Sequence, residues 1–581
     1  MPEEKQEPRR VSRRDFVKGV AVGAAGLAAS GALTGCGGGP GTEPGVQSWL
    51  PDEWDEEADV VVIGTGFAGQ AAAIEAHDAG ADVLMLEKAP EEFQGGNSRV
   101  CGQGFLSPSE DIWDEYVEYL TAATAGLGFP VPEEHLRFYV EESAKNVDWF
   151  EELGAEPGVS PGVGAAGAWI PFFPHFPGAD AIASEPGCYR VLGEYSGPGG
   201  NWYFLEDQIS ERDIRKMFKT PARRLIQDPV SKEILGVVAE TGGEVVVRED
   251  GGRDVEGGEE VFIKAKKAVC VCAGGWEYNQ QMVRDFQGIP ANYSLGSPFN
   301  TGETIKMCWA AGADIRNMSV IAAPTGLAAG IFPEYGGTIG VSEAPSEGGC
   351  ILIGANNERW RDEYFEVPRG IENKDEAGKE GTHTGTGQVV ENGVYVRDHH
   401  PMPMHIIFDE TARLSGPLFG WVPTMGWACV VEGYQPSDDN SAELEMGWYV
   451  KADSVAELAE EIGRDPEALQ AAIDKWNEAC EAGVDEEHGR TENLTPIEGP
   501  PFYAVECFPQ CLNTQGGMTR NTESQVLDIE GQPIPRLYSA GENGDIWTWV
   551  YQCMSNVGGG CYGYGRVAGQ NAATEDPWDE A

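Results

Sequence analysis

Six residues near the start of the chain, Gly64-Thr65-Gly66-Phe67-Ala68-Gly69, carry the clearest chemical signal. They follow the apolar run Ala58–Ile63 (Ala-Asp-Val-Val-Val-Ile), which reads as a short strand of the kind buried in parallel sheets. An alanine-rich segment comes next, predicted as a helix that stops at Gly80, and a second strand from Asp82 to Leu86 delivers Glu87. Each element has a task. Gly64 permits a tight turn, Gly66 lets the backbone approach a pyrophosphate, and Gly69 lets helix and strand pack closely. Glu87, 18 residues past Gly69, is placed to accept hydrogen bonds from a ribose. A lone GxGxxG says little, but strand, glycines, helix, strand and acid in this order describe a dinucleotide cradle. They do not by themselves separate a flavin from a nicotinamide.

Other candidate groups are weaker. Trp547, Trp549 and Tyr551 alternate, offering flat apolar surface and a phenolic donor for a ring-shaped ligand, or else one face of a core strand. His399, His400 and His405 cluster in a chain with 8 histidines, but Asp398 is the only carboxylate close by, so a lid loop explains them better than a metal. None of the 13 cysteines forms a CxxC pair. Cys270 and Cys272 lie in an apolar run and read as strand filler. Cys507 and Cys511, four apart, come nearest to a metal or disulfide pair, and no metal site is expected.

The chain that must position these groups has 581 residues, 41% of them hydrophobic, enough for several folding units or one large two-domain enzyme. The 95 acidic residues outnumber the 40 basic ones, and the net charge of −55 excludes nucleic acid and makes anionic lipid surfaces poor partners. No run of 18 or more strongly apolar residues appears, so no permanent membrane span is expected. The 78 glycines, about 13% of the chain, imply many close backbone approaches. Residues 240–258, dense in Gly, Glu and Asp, read as an exposed hairpin. Residues 370–400 read as irregular, and Val455–Ala482 as amphipathic helix.

Seven further segments occur in a telling order: Gly95-Gly96-Asn97-Ser98, Thr220-Pro221-Ala222, Ala268–Gly275, Thr301-Gly302-Glu303, Pro501–Ala504, Thr514–Gly517 and Leu537–Glu542. With the cradle they resemble the fumarate reductase / 3-ketosteroid dehydrogenase superfamily of FAD-dependent oxidoreductases, over roughly residues 58–575. The resemblance implies an α/β fold: a Rossmann-like FAD-binding domain in two parts, 58–316 and 499–576, with an inserted α+β cap or catalytic domain, 317–498, closing over the flavin. It implies that Gly64, Gly66, Ala68, Gly69, Glu87, Lys88, Gly96, Asn97 and Ser98 serve the adenosine and pyrophosphate side. Ala222 would lean on the adenine, and Glu303 stands where the family usually has Asp. Glu542 would hold the ribityl chain, with Asn513 beside it, and the amides of Asn556 and Val557 would face the flavin pyrimidine. No histidine lies near Gly96, so the FAD is expected to be noncovalent.

The same resemblance exposes losses. A dicarboxylate reductase holds its substrate with histidines and arginines, and here those positions read Ala323, Leu512 and Asn513, Val367 and Gln552. Tyr551 instead falls on the tyrosine that binds the 3-keto oxygen in ketosteroid dehydrogenases. Tyr364 and Arg369 are the cap residues nearest the proton-donor position, with ordinary lid packing as the alternative. The expected function is reduction (or introduction) of a C=C bond conjugated to a carbonyl in an apolar, steroid-like or aromatic enone, with hydride passing through flavin N5. A small-acid enoate reductase with a clamp rebuilt from Arg359, Arg361 and Arg369 is the first alternative, and a non-catalytic surface lipoprotein of flavin fold the second. At the N-terminus, Ser12-Arg13-Arg14-Asp15-Phe16-Val17-Lys18 resembles a twin-arginine export signal, and Leu33-Thr34-Gly35-Cys36 a lipobox with Cys36 as the acylated residue. Residues 1–36 are thus expected to be an address and 37–57 a flexible linker, placing the enzyme in the cell envelope. No CxxCH haem motif occurs, so electrons are expected from a separate membrane-linked cytochrome or small flavoprotein.

Overall fold

The computed structural model describes residues 50–126, 131–159, 173–184, 187–322, 326–332, 337–342, 344–364, 388–397, 400–419, 434–544 and 556–579. The predicted first strand is present as β1 (Glu56–Ile63). Its alternate residues feed two cores: Val60 and Val62 pack on one face of the sheet, Ala58, Val61 and Ile63 on the other. Burial on both faces is why the run is continuously apolar. The helix α1 (Phe67–Asp78) crosses back to β2 (Val83–Leu86), and Gly80 (φ +93°) follows the helix where a left-handed residue is required.

With β3 (Arg215–Met217), β4 (Glu259–Val271) and β5 (Pro533–Ser539), these strands form a parallel core ordered β5-β4-β1-β2-β3. The first half of β4 also pairs antiparallel with Ile234–Thr241, which pairs with Ala222–Gln227. The loops leaving the carboxyl ends of β1, β2, β4 and β5 therefore gather along one edge, where ligands of open α/β sheets bind. Helix Tyr564–Thr574 packs on α1 backbone to backbone: a Cβ on Gly565 would lie 2.7 Å from Ala68 O, and one on Gly569 2.2 Å from Ala72 O.

A second, largely antiparallel sheet orders Gly337–Val341, Gly326–Phe332, Phe502–Cys511, Met404–Asp409 and Cys350–Ile353. The stretch Val455–Ala482 is two helices, Val455–Glu461 and Pro466–Ala482. Gly463 (φ +68°) ends the first; Asp465 caps the second through Ala468 N (2.8 Å), with Pro466 in its first turn. Leu469, Ile473 and Trp476, spaced four and three apart, bury the second helix against one face of this sheet. Among the described residues, no helix is long and apolar enough to cross a membrane.

The hairpin expected at 240–258 exists, as Glu244–Val247 paired with Arg253–Glu256; Glu244, Val247, Glu249 and Glu256 are exposed, but Gly251, Gly252 and Arg253 at its tip are buried. Arg253 N donates to Pro298 O (2.7 Å), and its buried guanidinium lies 5.3 Å from the Phe93 ring and 5.9 Å from that of Phe299. The polar residues tolerate burial because they pair with one another: Arg223 with Asp254, Arg248 with Asp250.

Candidate functional site

At the carboxyl end of β1 the three cradle glycines each meet a distinct steric demand. Gly64 has φ +105°, and a Cβ there would lie 2.4 Å from Cys272 O; one on Gly69 would lie 2.0 Å from Gly64 O. Gly66 is different. Its backbone is extended (φ −73°, ψ 178°), and a Cβ would touch only Ser98 Oγ closely, at 3.0 Å. Gly66 caps α1 with no side-chain hydrogen bond, and the first turn carries no acid. Ser98 Oγ accepts from Phe67 N (2.9 Å), which leaves the Ala68 and Gly69 amides as the other first-turn donors at the positive end of the helix.

Glu87 follows β2, and its buried carboxylate accepts from Thr65 N (3.2 Å), Thr65 Oγ1 and Ala89 N (2.8 Å). Lys88 donates to Thr301 Oγ1 and to Glu303 (3.2 Å), the first residue of α2 (Glu303–Ala310). Burial would raise the Glu303 carboxyl, but Lys88 and Thr301 outweigh it and hold the group below its ordinary value. Ala222 is buried at the start of its strand.

Four residues singled out in the sequence meet in one polar chain. Asn97 Nδ2 donates to Glu277 Oε1 (2.7 Å) and to Glu542 Oε2 (3.3 Å), while its Oδ1 accepts from Ser297 N (2.7 Å). Asn513 donates to Glu542 Oε1, Gln515 Nε2 donates to Asn513 Oδ1 (2.6 Å), and Asn556 Nδ2 donates to Gln515 Oε1 (3.0 Å). Val557 opens the turn Val557–Gly563 that follows. Gly96, with φ +53°, begins the short helix that presents Asn97. Sequence reasoning missed Glu277, Asn300 and Gln515. The one available signal was an acid set between two aromatics, Trp276-Glu277-Tyr278, directly after the Ala268–Gly275 segment. Burial pushes the Glu277 carboxyl up, against hydrogen bonds from Asn300, Asn97 and Thr514.

In the second sheet the structure gives Tyr364 a packing role. Its hydroxyl donates to Pro345 O and accepts from Asn493 Nδ2 (2.5 Å), and the Arg490 guanidinium lies 4.3 Å from its ring centre. Arg359 and Arg490 both pair with the fully buried Glu363 (2.8 and 3.0 Å), Arg359 also with Asp485 (3.1 Å), and both lie over Trp476. Arg359 is thus committed inside the fold and unavailable as a substrate clamp. His405 corrects the lid-loop reading. It lies in the strand Met404–Asp409, with Nδ1 2.9 Å from Arg464 Nη2, and burial together with that cation brings its pKa down to about 4. Cys270, Cys272, Cys507 and Cys511 are buried and not disulfide-bonded. Among the described residues, no group of His, Cys, Asp and Glu could hold a metal ion. Tyr551, Arg369, Ala323, Val367, Gln552, Trp547, Trp549, His399 and Cys36 lie outside the described residues.

The cradle fits FAD on its own terms. Uncapped helix amides suit a pyrophosphate, glycine backbone allows its approach, and Glu87, Asn97, Asn513 and Glu542 offer the donors and acceptors that sugar and ribityl hydroxyls require. Residues 59–557 match the family model described as the FAD binding domain. The chain belongs to this family. Among curated relatives, the digoxin reductase of Eggerthella lenta is 25% identical over 618 residues, covering 98% of each chain. The urocanate reductase of Eggerthella lenta is 28% identical over 545 residues, 90% of this chain and 76% of that one. In fold, the chain is similar to the crystal structure of 3-ketosteroid Δ1-dehydrogenase from Sterolibacterium denitrificans in complex with 1,4-androstadiene-3,17-dione. The TM-score is 0.63 at 22% identity, over 89% of this chain and 99% of that one. The protein is an FAD-dependent oxidoreductase of α/β fold acting on CH–CH or C=C groups.

Proposed function

We propose that this oxidoreductase is exported and reduces the C=C bond of an apolar, ring-shaped enone, steroid-like or phenylpropenoid-like. The observation that carries the reading is the lining at residues 512–515. The positions that resemble the paired histidines of dicarboxylate reductases hold Leu512 and Asn513, and Asn513 is bonded to the Glu542 carboxylate. Two substrate carboxylates brought beside Glu542 would meet like charge in a desolvated site. A neutral ketone meets no such penalty. One relative matched over 98% of its length is named for digoxin, and the similar ketosteroid dehydrogenase fold holds a steroid dione, which supports the same class of substrate.

Bound FAD supplies two-electron hydride chemistry at the carbon β to the carbonyl. We assign Tyr551 to the carbonyl oxygen, where a phenol donates a hydrogen bond and stabilises the developing enolate. Arg369 is the cap group assigned to the α-carbon proton, because the Tyr364 hydroxyl is already held by Pro345 O. The FAD is held noncovalently, by Gly64, Gly66, Ala68, Gly69, Glu87, Lys88, Gly96, Asn97, Ser98, Ala222, Glu303, Asn513, Glu542, Asn556 and Val557. The segment Ser12–Lys18 supports the twin-arginine route, and Leu33–Cys36 a lipid on Cys36 that tethers the enzyme to the envelope. Electrons then come from a separate membrane-linked cytochrome or small flavoprotein.

The relative named urocanate reductase favours a second reading, a small-acid enoate reductase. Turnover with reduced viologen separates the two: cyclic enones are reduced while fumarate, urocanate and cinnamate are not, and activity on the acids alone would overturn the enone reading.

A further inference from the structure

We propose that Glu277 is a positioning residue of the FAD cradle, whose fixed negative charge holds the reduction potential of the bound flavin low. Glu277 is completely buried in the loop leaving β4. Gly275 makes room for it, since a Cβ there would lie 2.4 Å from Glu277 Oε2 and 2.2 Å from Thr514 Oγ1. Oε1 accepts from Asn97 Nδ2 (2.7 Å) and Asn300 Nδ2 (2.8 Å); Oε2 accepts from Thr514 Oγ1 (2.9 Å) and Thr514 N (3.4 Å). Every one of these donors is neutral, and Glu277 forms no ion pair among the described residues. A carboxylate meets all four as an acceptor. Its charge is therefore solvated by hydrogen bonds and not cancelled.

Those bonds reach three separate segments: the helix that carries Asn97 and Ser98, the loop before α2, and Asn513-Thr514. Asn97 uses its second amide hydrogen on Glu542, so one side chain is stretched between two carboxylates. The titratable groups facing Glu277 are Glu542, across that amide, and Tyr278, whose hydroxyl donates to Ser294 O (2.8 Å). Neither supplies positive charge. A flavin gains negative charge on reduction, and an anion fixed in the same low-dielectric cradle disfavours that state. A lower potential makes the bound cofactor a stronger hydride donor. The inference rests on the FAD site alone, independent of which alkene the enzyme takes.

Glu277→Gln tests it. The amide keeps Oε1 for Asn97 and Asn300, and its NH2 can donate to Thr514 Oγ1, so the shape survives and the charge is lost, together with the long hydrogen bond from Thr514 N (3.4 Å). Measured by dye equilibration on the holoenzyme, Glu277→Gln is expected to favour the reduced flavin about tenfold, a rise of about 30 mV for a two-electron couple. Its FAD dissociation constant should stay within about threefold of wild type, whereas Glu277→Ala, which strands Asn97, Asn300 and Thr514, should bind FAD roughly tenfold or more weakly. An unchanged or lowered potential in Glu277→Gln overturns the proposal. So does a loss of apoprotein stability in both variants with potential and FAD affinity intact, which is what packing alone would give. If Glu277→Ala fails to fold, the potential of Glu277→Gln decides.

Discussion

Alanine at Gly66 separates cofactor binding from folding. The backbone there is extended, at φ −73° and ψ 178°, so an L side chain introduces no strain. The new methyl would find Ser98 Oγ at 3.0 Å, Gly95 O at 3.5 Å and Ser98 Cβ at 3.8 Å, and the closest of these belongs to a side chain that can shift a few tenths of an ångström. The apoprotein should therefore lose less than about 1 kcal/mol. The methyl would nevertheless stand at the helix start, beside the Ala68 and Gly69 amides that would receive the pyrophosphate. Forcing a methylene-sized group into a packed contact costs about 1–3 kcal/mol, which is roughly a 5- to 150-fold weaker dissociation constant. Titration of apoprotein with FAD, followed by flavin fluorescence, gives the affinity; the melting temperature of the same apoprotein gives the fold. Gly69→Ala is the contrast: its Cβ would sit 2.0 Å from Gly64 O, a backbone atom with nowhere to go, so the apoprotein itself should melt early. Wild-type FAD affinity in Gly66→Ala would refute this account of the cradle, as would a loss of affinity that merely tracks a loss of apoprotein stability.

Two further outcomes concern the second sheet. Glu363→Gln leaves the Arg359 and Arg490 guanidiniums, both buried, with Asp485 and the more distant Glu487 (3.9 Å), both on Arg359, as the remaining carboxylates, and should destabilise the protein by about 3–5 kcal/mol in urea unfolding; a loss below about 1 kcal/mol would show that the cluster does not hold this region together. His405 has its folded pKa depressed to about 4, below the unfolded value near 6.5, so the unfolded chain binds the proton first. Its contribution is intact above about pH 6.5 and is lost as pH falls toward 4, by up to roughly 3 kcal/mol. His405→Gln, which can still accept from Arg464, should lose less stability between pH 7 and pH 4.5 than wild type does; equal losses would contradict the assignment.

The sequence made the cradle legible because its constraints are local. A β-branched run, a glycine at each backbone contact and an acid after the second strand each satisfy a demand within a few residues of themselves, and Gly64 and Gly69 prove to face the backbone oxygens that exclude a Cβ. The polar chain was legible only in pieces. Asn97 and Glu542 are 445 residues apart, and nothing local to either says that one amide will span two carboxylates. Glu277 carried only the weak signal of an acid between two aromatics, Trp276 and Tyr278, and nothing local to it says that Asn97, Asn300 and Thr514 will close around it. Charge misled in the same direction at the hairpin, where Arg253 folds inward against two phenyl rings, and at Arg359, which looks like a free cation in sequence and is spent on Glu363. The stretch after Val455 is helical as its apolar period implies, and Gly463 with the Asp465-Pro466 start divides it into two helices.

The central claim is that reduced flavin in this protein passes hydride to a neutral, carbonyl-conjugated alkene. Photoreduce the holoenzyme without oxygen, mix it in a stopped-flow cell with a steroid-like enone, and follow the oxidised-flavin absorption. Its return in a single turnover, stoichiometric with saturated ketone and absent with fumarate, is the expected result. A flavin that stays bleached with every enone, or that reoxidises only with the dicarboxylate, would contradict it.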